Sequence, residues 1–296
     1  MNAPSPLRET GPAARGQALA AARYANEADT AFRRRARILG GWIAEALCVN
    51  PDLRLADIGC GRGFYLPLYR DLGVRHVVAV EGVEANIRAA RPRASEATLV
   101  CGNAESLPLP DGSLDIVVMS EVIEHFPQEA PPLAEALRVL KPGGRLLTSV
   151  PNANYPALWD PINWSRERLG LKPVRDGFFG GIWAGHERLY TPGQLEALIA
   201  GAGFRVDEVS THTRRCMPFI HNVVYGLGKT MLDKGALPAS WADSAARGEA
   251  GATGRRSWFD PVRFGIRVAH WFDRNNSDAE PKGKPTVNVM LRATRA

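Results

Sequence analysis

Several things are scarce or missing in this chain of 296 residues. It has four cysteines, Cys48, Cys60, Cys101 and Cys216, with neither pairing nor metal-like spacing. That excludes a disulfide framework, argues against zinc, and suits a reducing cytoplasm. No run of 18 apolar residues occurs, so no transmembrane helix is expected. The opening MNAPSPLRETGPAARGQ lacks an apolar secretory stretch, and its Ala, Pro and Gly content predicts disorder over 1–17. No internal repeat is visible. Acidic residues are outnumbered, 31 against 37 Lys and Arg, for a net charge of +6. Basic residues gather at 33–37 (RRRAR) and again at Arg214, Arg215, Arg255, Arg256, Arg263, Arg267 and Arg274. Nucleic acid, an anionic membrane surface and a solvated face all remain open from charge alone.

What is present is a rhythm. A helical pattern over about 18–48 precedes apolar runs at Leu53–Ile58, His76–Val80, Ala97–Cys101, Leu114–Ser120 and Arg145–Val150. Helical stretches alternate with them, one of them Pro131–Leu140, closed by Lys141-Pro142-Gly143-Gly144. Continuous apolar strands separated by helices predict an α/β fold with a parallel, doubly wound sheet. A helix capped by Thr191 with Pro192 at its first position follows, then strands at Phe204–Thr211 and Thr286–Thr294. The expected organisation is a helical lid over 18–50, a core over 51–150 completed by 191–212 and 285–296, and two additions. The first, 151–190, is irregular and aromatic. The second spans 213–284.

The stretch LADIGCGRGFYLPLY, residues 55–69, is a strand, a glycine turn and a helix start. A dinucleotide fingerprint needs G-x-G-x-x-G, and Phe64 stands where its third glycine belongs. A phosphate-binding loop needs Gly-Lys-Ser/Thr, which is absent. Asp57, two residues before Gly59, suits a cationic or hydroxyl-bearing ligand better than a pyrophosphate. Glu81, about 20 residues downstream, suits a ribose diol. A ribose without phosphates, as in an adenosine with an amino-acid-like tail and a sulfonium, fits these residues.

Four blocks in order, LADIGCGRG, VVAVEGVEANI, GNAESLPLPDGSLDIVVMSEVIEHF and LKPGGRLLTSVPN, resemble the class I S-adenosylmethionine-dependent methyltransferases. Within that class the likeness is to the broad group with the ubiquinone and menaquinone methyltransferases. It covers about 53–152, and HERLYTPGQLEALIAGAGF extends it to about 204. The resemblance implies a seven-stranded Rossmann-like sheet with strand seven antiparallel, and S-adenosyl-L-methionine as cofactor. It implies that Asp57, Gly59, Cys60, Gly61 and Gly63 hold the methionyl and ribose parts. Glu81 takes the ribose hydroxyls, Gly82 and Val83 flank the adenine, Asn103 and Ala104 meet its ring, and Ser120 and Glu121 line the methionine end. Asn103 departs from the Asp of many relatives, but its side-chain oxygen can still accept from the adenine amino group.

A hydroxyl acceptor needs alignment with the methyl and often a base. Of six histidines, His125 in SEVIEHF and His186 in AGHERLY are the candidates, with Glu124 able to orient either. No clear metal-ligand spacing is apparent, so metal-independent transfer is expected. Trp159, Trp164, Phe178, Phe179 and Trp183 are candidates to wall an apolar acceptor pocket. In the second addition, Phe219, Val223, Leu227 and Met231 recur at four-residue spacing, while Arg263, Arg267, His270 and Arg274 share a helix face. That face is either solvated on a packed cap helix or peripheral at an inner membrane surface. The expected function is methyl transfer, most readily at oxygen, to a small lipophilic or aromatic acceptor. The alternatives are an RNA or protein methyltransferase, motivated by a pI near 9.3, and a non-catalytic cofactor-binding protein. The missing N/D-P-P-Y/F block after strand four argues against nucleic acid as partner.

Overall fold

The computed structural model describes residues 11–218 and 261–296. The expected periodic run Phe219, Val223, Leu227, Met231 lies outside the described residues. Seven strands form one sheet: β1 (Arg54–Ile58), β2 (His76–Glu81), β3 (Ala97–Cys101), β4 (Leu114–Ser120), β5 (Leu140–Pro151), β6 (Phe204–His212) and β7 (Asn288–Arg295). Their order is β3-β2-β1-β4-β5-β7-β6. Strands β1 to β5 pair in parallel, and β7 lies antiparallel between β5 and β6. The expected Rossmann-like sheet is present.

Neighbouring strand residues feed opposite faces. Leu55, Ile116 and Val118 enter a core covered by the helices α1 (Pro12–Arg23), α2 (Thr30–Val49) and α3 (Leu66–Leu72). Ala56, Val117 and Met119 enter the other, against α5 (Ala130–Val139) and α7 (Pro192–Gly201). α4 (Glu84–Ala90) follows β2, and α6 (Pro161–Arg168) lies in the aromatic addition. Burial on both faces accounts for unbroken apolar strands. A smaller cluster of Ala31, Tyr155, Trp159, Ile182, Cys216, Ala269 and Val287 joins the aromatic addition to α2 and to α8 (Pro261–Asp273).

Three boundaries differ from the sequence reading. The first helix starts at Pro12, inside the stretch expected to be disordered, because proline at N1 presets the helical φ. The long N-terminal helical pattern is two helices. Asp29 ends the break by accepting from Phe32 N at 3.0 Å, while Glu27 accepts from Asp29 N at 2.8 Å. β5 runs through Lys141-Pro142-Gly143-Gly144, expected as a loop, with a register shift opposite Leu114 and Ile116. The cap of α7 is as read: Thr191 and Gln194 form a capping box. Among the described residues, no helix is long and apolar enough to cross a membrane.

Candidate active site

β1 delivers Asp57 and the glycine turn to the carboxyl edge of the sheet. The turn is not an anion cradle. Gly59 N and Cys60 N donate to Val80 O at 2.8 and 3.1 Å, Gly63 N donates to Cys60 O at 2.9 Å, and Gly61 N donates to Glu81 Oε2 at 2.9 Å. Four N–H groups are thus used inside the protein, so they are not presented to a phosphate. Gly59, Gly61 and Gly63 all have left-handed φ, and a Cβ at Gly61 would meet nothing within 4 Å. That open space is where a ligand can approach the backbone.

Asp57 is buried, and its Oδ2 accepts from Tyr69 Oη at 3.1 Å. Burial pushes its carboxyl up to about 7, with Glu81 adding in the same direction. Such a carboxylate is stabilised by a nearby positive charge, and a sulfonium ligand carries one. Cys60 is buried, and burial with two acidic neighbours pushes its thiol up. Glu81 grips its own backbone surroundings: besides Gly61 N, its Oε1 accepts from Val83 N at 2.9 Å. Val83 is exposed beside the solvent-facing Gly82, and Ala104 is buried. Asn103 Oδ1 accepts from Glu105 N at 3.0 Å, shaping a turn at the rim.

At the end of β4, Ser120 and Glu121 belong to a polar chain. Ser120 Oγ lies 3.1 Å from Tyr65 Oη and 2.9 Å from Ser149 Oγ. Ser149 Oγ donates to Glu121 Oε1 at 2.9 Å. Asn288 Nδ2 lies 3.0 Å from both Glu121 oxygens, and Arg35 Nη1 sits 3.4 Å from Oε2. Glu121 itself has φ +57, an unfavourable region for a residue with a Cβ. Tyr65, Ser149 and Arg35 lie in stretches singled out in the sequence, but none of them, nor Asn288, is marked there as a site residue. The RRRAR run, read as surface charge, instead turns inward. Arg34 and Arg35 are buried, Arg34 on Asp273 and Asp278, Arg35 on Asn288 and Glu121.

A short helical turn, Ile123–His125, follows and brings the three catalytic candidates together. The rings of His125 and His186 lie 4.7 Å apart. The expectation that Glu124 orients them needs correcting. His125 Nδ1 is 2.7 Å from Gly185 O and His186 Nδ1 is 2.5 Å from Ile182 O, so backbone carbonyls set both rings. A carbonyl only accepts, which puts the proton on Nδ1 and the lone pair on Nε2 of the neutral rings. Glu124 Oε1 lies 3.9 Å from His186 Nε2, beyond a hydrogen bond. Glu124 is completely buried, with neither oxygen hydrogen-bonded. Burial raises its carboxyl well above the usual range and Glu121 adds to the effect, while Arg35 and the backbone N–H groups of Glu124 and Val122 oppose it in part. Ligand atoms from Glu124, His125 and His186 lie within 4.8 Å of one another, a cluster the linear spacing conceals.

His186 and Glu121 line a small, open cleft. Its lining is mixed: Trp159, Ile182 and Val287 are apolar, and Asp29, Arg35 and Asn288 are polar or charged. Of the five aromatic residues expected to wall a pocket, Trp159 does so. Phe178 and Phe179 are about half exposed and pack edge to face on each other. Arg168 covers Trp164 and Arg175 covers Trp183. The expected basic face of α8 also divides: Arg263, Arg267 and Arg274 are exposed, but His270 turns inward with Nε2 2.8 Å from Glu27 O.

Residues 56–148 match a family model described as a methyltransferase domain. A probable S-adenosylmethionine-dependent methyltransferase of Mycolicibacterium smegmatis is 34% identical over 161 residues, 54% of each chain. A ubiquinone/menaquinone biosynthesis C-methyltransferase of Methylobacterium nodulans is 39% identical over 177 residues, 51% of this chain and 65% of its own. A ubiquinone biosynthesis O-methyltransferase of Parvibaculum lavamentivorans is 30% identical over 174 residues, 56% of this chain and 65% of its own. The chain thus spans about half to two thirds of the length of these relatives. A solved S-adenosylmethionine-dependent methyltransferase from Mesorhizobium loti covers 82% of this chain and 91% of its own, at 15% identity and a TM-score of 0.47. The ordered sequence blocks, the sheet order and the family match agree: this chain carries a class I methyltransferase domain, whose cofactor is S-adenosyl-L-methionine.

Proposed function

We propose that the protein methylates a hydroxyl oxygen of a small, amphipathic molecule seated in the cleft beside Glu121. The observation that carries this reading is the cleft's position. It opens at the ends of β4 and β5, one residue from Ser120, and both apolar and polar side chains line it. The bound cofactor supplies a methyl group on a positively charged sulfur. Asp57, Glu81 and the glycine turn hold that cofactor, with Gly82, Val83, Asn103 and Ala104 around the adenine and Ser120 and Glu121 at the methionine end. Trp159 and Ile182 exclude water and hold the acceptor's apolar part, so alignment supplies much of the rate. The group formed by Glu124, His125 and His186 faces the acceptor's hydroxyl and promotes loss of its proton. Two relatives named as quinone-biosynthesis methyltransferases, one at oxygen and one at carbon, support a small-molecule acceptor. Arg34 and Arg35 of the basic run turn inward and are not offered to an RNA backbone.

The test is incubation of the protein and a cell metabolite extract with methyl-labelled cofactor. Label in an organic-extractable small molecule supports the reading, and label confined to RNA or protein sinks it.

A further inference from the structure

The fold assembles a donor set that neither composition nor spacing reveals. Glu124 and His125 come from the turn after β4, His186 from the end of the aromatic addition, and their ligand atoms lie within 4.8 Å. Two features make this more than proximity. Glu124 is fully buried and neither oxygen has a hydrogen-bond partner. Protonating it does not satisfy both oxygens, and at the present spacing the O–H reaches no acceptor, His186 Nε2 lying 3.9 Å from Oε1. An unsatisfied buried carboxyl costs several kcal/mol when charged and remains costly when neutral. A bound cation satisfies both oxygens at once.

The second feature is the way the histidines are held. Each donates Nδ1–H to a backbone carbonyl, Gly185 O or Ile182 O. Metal-ligating histidines use that arrangement to fix the ring and present Nε2. We infer that Glu124, His125 and His186 form a binding site for one divalent first-row transition cation, on the acceptor side of the cleft. Two imidazoles and one carboxylate suit manganese, iron, cobalt or zinc better than magnesium or calcium, which prefer oxygen donors. Three protein ligands leave positions open, as sites that take a substrate require. Ligands bonded at about 2.0–2.2 Å to one ion lie roughly 3.3 Å apart. Glu124 Oε1 and His186 Nε2, now 3.9 Å apart, close to that by a small shift. Burial falls from Glu124 through His186 to the exposed His125, so the ion has an entry path. Its use, holding and acidifying the acceptor hydroxyl, rests on the proposed methyl transfer. In that role both histidines are ligands, and the released proton passes to water.

The experiment is calorimetric titration of chelator-treated full-length protein with MnCl2, a probe that avoids the exposed thiols of Cys48 and Cys101. One equivalent binds to the wild type. Glu124→Gln, His186→Ala and His125→Ala each weaken binding by at least about tenfold. His125 is exposed, so its variant reports on the site even where the other two disturb the fold. Circular dichroism and a thermal melt of the same samples verify folding, and S-adenosylhomocysteine titration is run beside them. Protein that binds S-adenosylhomocysteine but no Mn²⁺ at about 1 mM overturns the metal centre alone. Mn²⁺ binding that survives all three substitutions overturns it equally. Protein that binds Mn²⁺ but no S-adenosylhomocysteine supports the centre and overturns the methyltransferase reading.

Discussion

Replacing Gly61 by alanine separates the turn's conformational demand from its demand for a ligand. Gly61 has φ +55, so an L-residue there carries a left-handed penalty of roughly 1–2 kcal/mol. No atom lies within 4 Å of the added methyl, so no clash adds to it. At about 2–4 °C per kcal/mol for a chain of comparable size, thermal unfolding without ligand falls by only a few degrees. On the proposed placement the cofactor meets the backbone in the open space beside Gly61, and an extra methyl there costs a further 1–3 kcal/mol by order of magnitude. Affinity for S-adenosylhomocysteine therefore falls about 5- to 150-fold. Gly59→Ala provides the contrast. Its Cβ would stand 2.7 Å from Val122 Cγ2, so stability suffers more than at Gly61. Scanning calorimetry gives the stability arm and isothermal titration the affinity arm. If Gly61→Ala melts a few degrees lower yet binds S-adenosylhomocysteine within twofold of wild type, the open space is not the cofactor's and the reasoning fails.

Three further outcomes are expected. Asp57, raised in the fold to about 7 from an ordinary 3.8, adds no pH dependence below about pH 4, where it is protonated folded and unfolded. Between about pH 4 and 7 the unfolded chain loses that proton while the fold retains it, so ligand-free stability falls by up to about 4 kcal/mol and then levels off. Asp57→Asn flattens that slope and raises the melting temperature at pH 8 while weakening S-adenosylmethionine binding, as melts and titrations at pH 5 and 8 will show. Thr191→Ala removes the capping box of α7 and costs about 1 kcal/mol in denaturant unfolding, with cofactor affinity unchanged. Asn288→Ala removes donors from both Glu121 oxygens and lowers kcat more than it changes cofactor affinity, as steady-state and equilibrium measurements will separate.

The legible parts of this protein are those whose signals are local. Alternating strands and helices, the glycine turn and the Thr191 cap each announce themselves within a few residues, and the structure follows them. The break between α1 and α2 is local too, but Asp29 reads as one more helix residue until its side chain is seen capping Phe32 N. What could not be read depends on distance along the chain. Arg35 resembles its neighbours in a basic run. Only its partner Asn288, 253 residues away, distinguishes a buried structural cation from a surface one. Likewise Glu124 and His125 are adjacent, but His186 joins them only because the aromatic addition folds back, with Glu187 N donating to Glu124 O at 2.9 Å. The aromatic residues were visible as composition, yet composition cannot say that Trp159 faces the cleft while Phe178 and Phe179 face outward.

Glu121 connects the two halves of this site. Its left-handed φ is unfavourable for a residue with a side chain, and the surroundings hold it there. Ser149 from β5, Asn288 from β7 and Arg35 from α2 all converge on its carboxylate. That conformation turns the chain sharply after Ser120, so successive residues serve different ends. Ser120 joins the chain that leads back to Tyr65 and the glycine turn, Glu121 faces the cleft, and Glu124 begins the histidine cluster. A straight continuation of β4 would separate these groups by about 3.3 Å per residue along one line. The bend gathers them instead around one opening. On the proposed function, that opening is where methyl donor and acceptor meet.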